Sequence, residues 1–365
     1  MPTVPRSELL EKFRLTQSTD HWSLSDITGH AAEFARDQEG SRFIQRMLDH
    51  SPLDAVDALF REIFSNPAEL VTDVFGNYVL QKMLEMGTAE QLLFVAQNLK
   101  HQVIHLTMQT YGCRVIQKCV EVMPPEGVDI ILSELEGNVA KCIQDQNGNH
   151  VVQKCVEIVP DRCGFIVAAF IGRVKEFATH AYGCRVIQCI LDHCRGHQAA
   201  IFEELLQDIA TLTTDQYGNY VVQHLLERAP SEQAERVFDK LKSSFYAFSV
   251  HKFASNVMEK MYVRGTERQR EEVIESITQP LVDLNPEDCG EGRLIQPTQL
   301  FLMMKDQFAN YVVQKMVDIS SERHREILME NTQPFVLALK RFTFGKHMVA
   351  RLERMKLLSV VLEGH

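Results

Sequence analysis

The frame G-x-x-V-[IV]-Q-K-C-V-E occurs twice, 36 residues apart, in "MQTYGCRVIQKCVEVM" around Cys113 and "QDQNGNHVVQKCVEIV" around Asn149. Looser copies bring the count to eight: "GSRFIQRML", "GNYVLQKML", "GCRVIQKCV", "GNHVVQKCV", "GCRVIQCIL", "GNYVVQHLL", "ASNVMEKMY" and "ANYVVQKMV". The residue after the Gly or Ala, called position one, falls at 41, 77, 113, 149, 184, 219, 255 and 310, with spacings of 36, 36, 36, 35, 35, 36 and 55. A degenerate ninth copy, "GKHMVARLE", follows at Lys346. Length alone, 365 residues, would suggest two or three domains. The period overrides that expectation. Units this small cannot bury a core alone and must stack on their neighbours.

Between the copies lie amphipathic segments such as "PAELVTDV", "HQVIHLTMQ" and "SEQAERVFDKLKSS", punctuated by Pro124-Pro125, Pro160 and Pro230. They read as helices, and strand-like alternation is absent. The expected fold is therefore all-α, a solenoid forming one domain over residues 1–365. Residues 7–27, with the sole tryptophan Trp22, are expected as an atypical N-terminal cap, 28–332 as eight repeats, and 333–365 as a C-terminal cap. The seventh-to-eighth junction carries 19 extra residues, within "PLVDLNPEDCGEGRLIQPTQL" at 280–300. This reads as an inserted surface loop, either a tolerated insertion or a docking place for a partner.

On a helix at about 100° per residue, positions three, four, seven and eight of "CRVIQKCVE" share one arc, which holds Val115, Ile116, Cys119 and Val120. These are expected inside. Positions one, two, five, six and nine share the other arc, expected to face outward: Cys113, Arg114, Gln117, Lys118 and Glu121. In a solenoid such faces line up into one surface. An ordinary solvated stripe would vary freely. Here position one is only Ser41, Asn77, Cys113, Asn149, Cys184, Asn219, Ser255 or Asn310. Position five is Gln45, Gln81, Gln117, Gln153, Gln188, Gln223, Glu259 or Gln314. Position two is Arg42, Tyr78, Arg114, His150, Arg185, Tyr220, Asn256 or Tyr311. A short polar group one turn from a long amide offers two hydrogen-bonding arms to a planar edge, beside a flat group able to stack on a ring. That set suits unstacked bases.

In these residues the chain resembles the Pumilio (PUF) family of RNA-binding repeat proteins, from about Ser7 to Lys356. The resemblance implies a right-handed, crescent-shaped α-solenoid of eight three-helix repeats, each taking one base; that correspondence is the family's own. It implies that positions one and five read a base edge while position two stacks between bases. Asn with Gln then takes uracil, Ser or Cys with Gln takes adenine, and Ser with Glu takes guanine. With the RNA antiparallel, repeats eight to one spell 5′-UGUAUAUA-3′, relaxed in family fashion to UGUANAUA. The implied partner is single-stranded RNA in messenger 3′ untranslated regions, with translational repression or decay. Co-repressor or deadenylase-complex proteins would then sit on the convex face and the 280–300 loop.

Charge fits a locally basic face on an acidic body. The formal net charge is -11, yet the ten-residue stretches starting at position one hold 11 Lys or Arg against 8 Asp or Glu, and the rest of the chain 27 against 41. The position-six cations, Arg46, Lys82, Lys118, Lys154, Lys260 and Lys315, are candidates for phosphates or for ion pairs with the acid three residues on, as Lys82 with Glu85. Repeats five and six depart with Cys189 and His224. Nine cysteines without a CxxC pair read as free thiols in the cytoplasm. No apolar run suits a membrane span, and "MPTVPRSELLEKFRL" lacks a signal-peptide core. No catalytic motif, metal-ligand spacing or cofactor signature is present, so a non-enzyme without cofactor, acting as a monomer, is expected. Cys113 and Cys184 are read as base contacts rather than reactive thiols, and His150 as a stacking ring. The rival reading is an α-solenoid protein scaffold, which would not need this restricted set in every unit.

Overall fold

Each repeat starts with a short helix, and in every repeat but the third, where Gln109 stands there, its end is turned by a side chain at position minus four, Asp37 doing so in repeat one. In repeat two Asp73 Oδ1 accepts from the N–H groups of Phe75 and Gly76, both at 2.8 Å. Asp145, Asp215 and Asp306 do the same in repeats four, six and eight. In repeats five and seven a histidine substitutes: His180 Nδ1 accepts from Tyr182 and Gly183, and His251 Nδ1 from Phe253 and Ala254. The cap satisfies N–H groups that the next helix cannot. That next, central helix is eleven residues long in all eight repeats: Gln38–Leu48, Gly76–Met86, Gly112–Val122, Gly148–Ile158, Gly183–His193, Gly218–Arg228, Ala254–Arg264 and Ala309–Ile319. A third helix follows, such as Ala89–Leu99, where Thr88 and Gln91 form a capping box.

The glycine of the frame is a contact requirement. A Cβ on Gly112 would lie 2.5 Å from the Leu106 carbonyl oxygen of the preceding helix. Repeats seven and eight place only alanine there. A second device closes the repeat. Glu204 of the third helix accepts from the N–H groups of Gly172 and Val174, where the chain turns into the first helix with Gly172 at φ 79°. Glu62 treats Gly29 and Ala31 alike, and Glu134 treats His101 and Val103, with His101 held at φ 70°.

The computed structural model describes residues 6–16, 19, 21–194, 196, 198–281, 296–355 and 357. Most of the inserted loop, at 282–295, and the end of the expected C-terminal cap, at 358–365, lie outside the described residues. The chain divides into two compact units, Met1–Phe170 with His193–His197, and Ile171–Asp192 with Gln198–His365. In the first, the central helices of repeats one to four stack in sequence. In the second, those of repeats six to eight stack in sequence and continue onto Thr343–Arg354, the ninth copy. This is α-solenoid packing, and the described residues contain no strand beyond an isolated bridge between Pro280 and Thr298.

The core is the frame itself. Val115, Ile116, Cys119 and Val120 are each 1% exposed or less, and the equivalent positions of the other repeats are buried with them except Met47 and Leu191, which are half-buried. One repeat departs from the three-helix plan. In repeat four the third segment is a 3-10 turn, Pro160–Arg162, and a short helix, Gly164–Ala168. Val159 leaves helical geometry at φ -131°, and Pro160 has no N–H to continue the ladder. At the N-terminus the helix Glu8–Leu15 sets Phe13 against Trp22, Phe34 and Phe43 at centroid distances of 5.2, 5.2 and 5.1 Å.

Candidate nucleic-acid interface

Position one is not where the helical wheel puts it. Ser41, Asn77, Cys113, Asn149, Cys184, Asn219, Ser255 and Asn310 are all buried, none more than 8% exposed. The expectation of an outward-facing position one is therefore corrected. These short side chains sit under the edge of the stack, and their hydrogen bonds run down to the backbone. Asn77 Nδ2 spends its two hydrogens on the Asp73 and Val74 carbonyls, at 2.9 and 3.1 Å. Its Oδ1 is thereby turned to accept from Gln81 Nε2 at 3.0 Å. The same Asn–Gln bond is 2.9 Å in repeats four, six and eight, joining Asn149 to Gln153, Asn219 to Gln223 and Asn310 to Gln314. The position minus four residue thus serves twice, its side chain capping the central helix and its carbonyl setting the asparagine amide.

Where position one is shorter, the glutamine folds elsewhere. Cys113 Sγ donates to the Thr110 carbonyl, and Gln117 Nε2 donates to the Cys113 carbonyl at 3.0 Å. Cys184 and Gln188 repeat the pattern with Ala181. In repeat one, Gln45 Nε2 reaches Ser41 Oγ at 3.1 Å, and that hydroxyl donates to the Phe75 carbonyl. Repeat seven has no such clamp. Ser255 Oγ donates to the Lys252 carbonyl at 3.4 Å, and Glu259 carries no hydrogen bond or ion pair among the described residues.

Position two stands clear of the surface. Tyr78, Tyr220 and Tyr311 are 55%, 57% and 60% exposed, well above what a packed tyrosine shows. Arg42, Arg114, Arg185 and Asn256 are exposed as well, and His150 is half-buried. Each is one residue from a buried polar atom and three from the position-five side chain. A flat group therefore flanks every clamp.

The cations at position six pair in a way that the spacing within one helix does not reveal. Lys82 bonds Asp49 at 2.7 Å rather than Glu85, which corrects the expected pair. Lys118 bridges Glu85 and Glu121, and Lys154 bridges Glu121 and Glu157. Lys260 meets Glu227, Arg351 of the ninth copy meets Asp318, and His224 Nε2 lies 3.1 Å from Asp192. Each of these groups meets the acid at position nine of the preceding repeat, and Lys118 and Lys154 also hold the acid three residues on in their own helix, the pairing expected within one helix. Sequence could have shown this, because an acid fills position nine in seven of the eight copies, Val263 being the exception.

Hydrogen bonds from Lys118 and Lys154 hold the Glu121 carboxyl below its usual value, and Lys260 does the same for Glu227. A depressed carboxyl contributes stability that is complete above its unfolded pKa, about 4.3, and is lost as pH falls through the lower folded value. Thermal midpoints should therefore hold level between about pH 6 and 5 as far as these groups decide, and fall below about pH 4. Lys118→Met should make that acid fall shallower; an unchanged pH profile would count against the ladder.

Burial pushes the Cys113 and Cys184 thiols above their ordinary value, and Cys119 up to about 12. At neutral pH they stay protonated, which is the wrong state for a nucleophile or metal ligand. Eight described cysteines are free and buried. Among the described residues no group of three or more His, Cys, Asp or Glu is placed to hold a metal, and no helix is long and apolar enough to cross a membrane.

This geometry has close counterparts. The Pumilio-family RNA binding repeat matches residues 30–64, 68–99, 102–136, 138–162, 173–206, 208–242, 244–278 and 299–331. The mRNA-binding protein puf3 of Schizosaccharomyces pombe is 40% identical over 169 residues, 46% of this chain and 21% of that protein. Pumilio homolog 1 of Arabidopsis thaliana is 42% identical over 166 residues, 45% of this chain and 16% of that protein. The chain thus spans about a fifth or less of the length of these curated relatives. The Puf3 RNA binding domain bound to the Cox17 RNA 3′ UTR recognition sequence site A superposes with a TM-score of 0.81 at 37% identity, covering 95% of this chain and 99% of that one. PUF-8 in complex with PBE-RNA gives 0.86 at 34% identity, with coverage of 95% and 99%. The matched family is one of RNA-binding repeats and not of enzymes. With eight matched repeats covering most of its length, the chain belongs to the Pumilio family of RNA-binding repeat proteins.

Proposed function

We propose that this chain binds single-stranded RNA of the form 5′-UGUANAUA-3′, one base per repeat, in messenger 3′ untranslated regions, and thereby regulates those messages after transcription in the cytoplasm. The observation that carries the reading is the clamp: position one is buried and holds the position-five amide, while an exposed flat side chain stands alongside at position two. Support also comes from the family match and from solved neighbours bound to RNA.

Base choice follows from what each clamp leaves uncommitted. In repeats two, six and eight, Gln81, Gln223 and Gln314 give one N–H to the asparagine oxygen and keep a carbonyl and an N–H. Uracil meets these with its N3–H donor and a flanking carbonyl. In repeats three and five the short thiol leaves Gln117 and Gln188 drawn onto the helix backbone, with more depth above position one. That depth suits the larger adenine, whose edge also pairs one acceptor with one donor. Repeat one joins this class by its short Ser41, with Gln45 reaching the Ser41 carbonyl at 3.3 Å as well as its hydroxyl at 3.1 Å. Glu259 accepts only, and guanine alone presents two adjacent donors, N1–H and N2–H. Arg42, Tyr78, Arg114, His150, Arg185, Tyr220 and Tyr311 stack between bases, with Asn256 the weakest platform. The relaxed fifth base faces repeat four, the unit with the broken third helix and the half-buried His150.

Selection from a random RNA pool tests this directly. Enrichment of a UGUA core followed by a relaxed fifth position is expected, with single changes in the core costing about 1–3 kcal/mol each. A pool that returns no UGUA core would remove the reading.

A further inference from the structure

Among the position-six lysines one lacks its acid, and it falls in the repeat that the RNA reading gives the first base. Lys82, Lys118, Lys154 and Lys260 are each neutralised by the acid at position nine of the repeat before. Lys315 occupies the same position in repeat eight, but its counterpart acid is replaced by Val263. No ion pair or hydrogen bond engages the Lys315 ammonium among the described residues. It is the one position-six lysine left unpaired there. Arg46 of repeat one has no preceding repeat and donates only to the neutral Thr19 hydroxyl, at 2.9 Å. Cys189 is neutral at position six of repeat five, and His224 lies beside Asp192.

The geometry points to Lys315 as a phosphate-holding residue, the cation that takes the RNA backbone next to the base on repeat eight; this rests on the RNA reading above. Lys315 follows Tyr311 by four residues on the same helix, so its stem rises beside a ring that is 60% exposed. A base stacked on Tyr311 brings its own phosphate within reach of that stem. A paired lysine must give up its carboxylate to hold a phosphate, and its net field is already cancelled. An unpaired one loses nothing and attracts the backbone at full charge. Phosphate contacts position a strand without reading it, so Lys315 anchors the 5′ end without choosing the base.

The test is the salt dependence of binding to an RNA carrying UGUAUAUA with two extra nucleotides at each end, so that the flanking phosphates are present. Each phosphate contact to a single strand contributes about 0.7 to the slope of log affinity against log salt. Lys315→Ala is expected to make that slope shallower by about 0.7 while leaving second-base discrimination unchanged. Removing an existing pair whole, with Asp49→Ala and Lys82→Ala together, is expected to leave the slope alone. Val263→Glu restores the missing acid and should reproduce the Lys315→Ala slope, whereas Val263→Gln should match the parent. If the parent protein binds this RNA and all the variants share its slope, Lys315 does not hold a phosphate and the inference is overturned. If the parent does not bind at all, the RNA reading itself falls.

Discussion

Changing Ser255→Asn and Glu259→Gln together is expected to move the preferred second base from guanine to uracil, from UGUA toward UUUA. Repeat seven is the only one whose position-five side chain has no hydrogen-bond partner of its own among the described residues. A carboxylate with every lone pair uncommitted favours the base edge that offers two donors. Asparagine at position one would bring the oxygen that holds glutamine in repeats two, six and eight. The backbone can receive it. Ser255 already donates to the Lys252 carbonyl, the equivalent of the Val74 carbonyl that accepts from Asn77. The parent RNA should lose about 1–3 kcal/mol, roughly 5- to 150-fold in affinity. Affinities for the four second-base variants settle it: a double mutant that still prefers guanine means Glu259 does not read this base.

Phe13→Ala is expected to be the most damaging single change to the folded chain, costing about 3–5 kcal/mol. Phe13 is 2% exposed and touches three other aromatic rings, so its loss leaves a cavity that rigid neighbours cannot close. In stacked repeats each unit leans on its neighbours alone, so the damage should stay local. Hydrogen exchange should show amides of Gln38–Leu48 losing protection on the order of a hundredfold or more, with those of Ala254–Arg264 unchanged. Uniform loss across both helices would mean that the aromatic cluster supports more than the first repeat.

The all-α fold and its buried frame were legible in the sequence because both depend on local periodicity. Positions three, four, seven and eight lie on one arc of an ideal helix, and Val115, Ile116, Cys119 and Val120 are buried as that arc requires. The restricted sets at positions one, two and five were visible for a related reason: a selective surface shows itself as composition that fails to vary. Tertiary structure decided the rest. A helical wheel gives an angle about one axis and says nothing of how far the neighbouring helix reaches. Position one lies only about 20° from the edge of the apolar arc. A short Ser, Cys or Asn there cannot climb past that neighbour and is buried, whereas Arg or Tyr at position two emerges. The ion-pair partners were hidden likewise, since Asp49 and Lys82 are 33 residues apart and meet only once two repeats stack. Repeat four's broken third helix followed from Pro160 within its own segment, while the burial of Ile166 and Val167 after the turn belongs to the packed structure. Sequence determined the angle at which each residue leaves its helix; stacking determined its depth and its partner, because depth and partnership are properties of two helices rather than one.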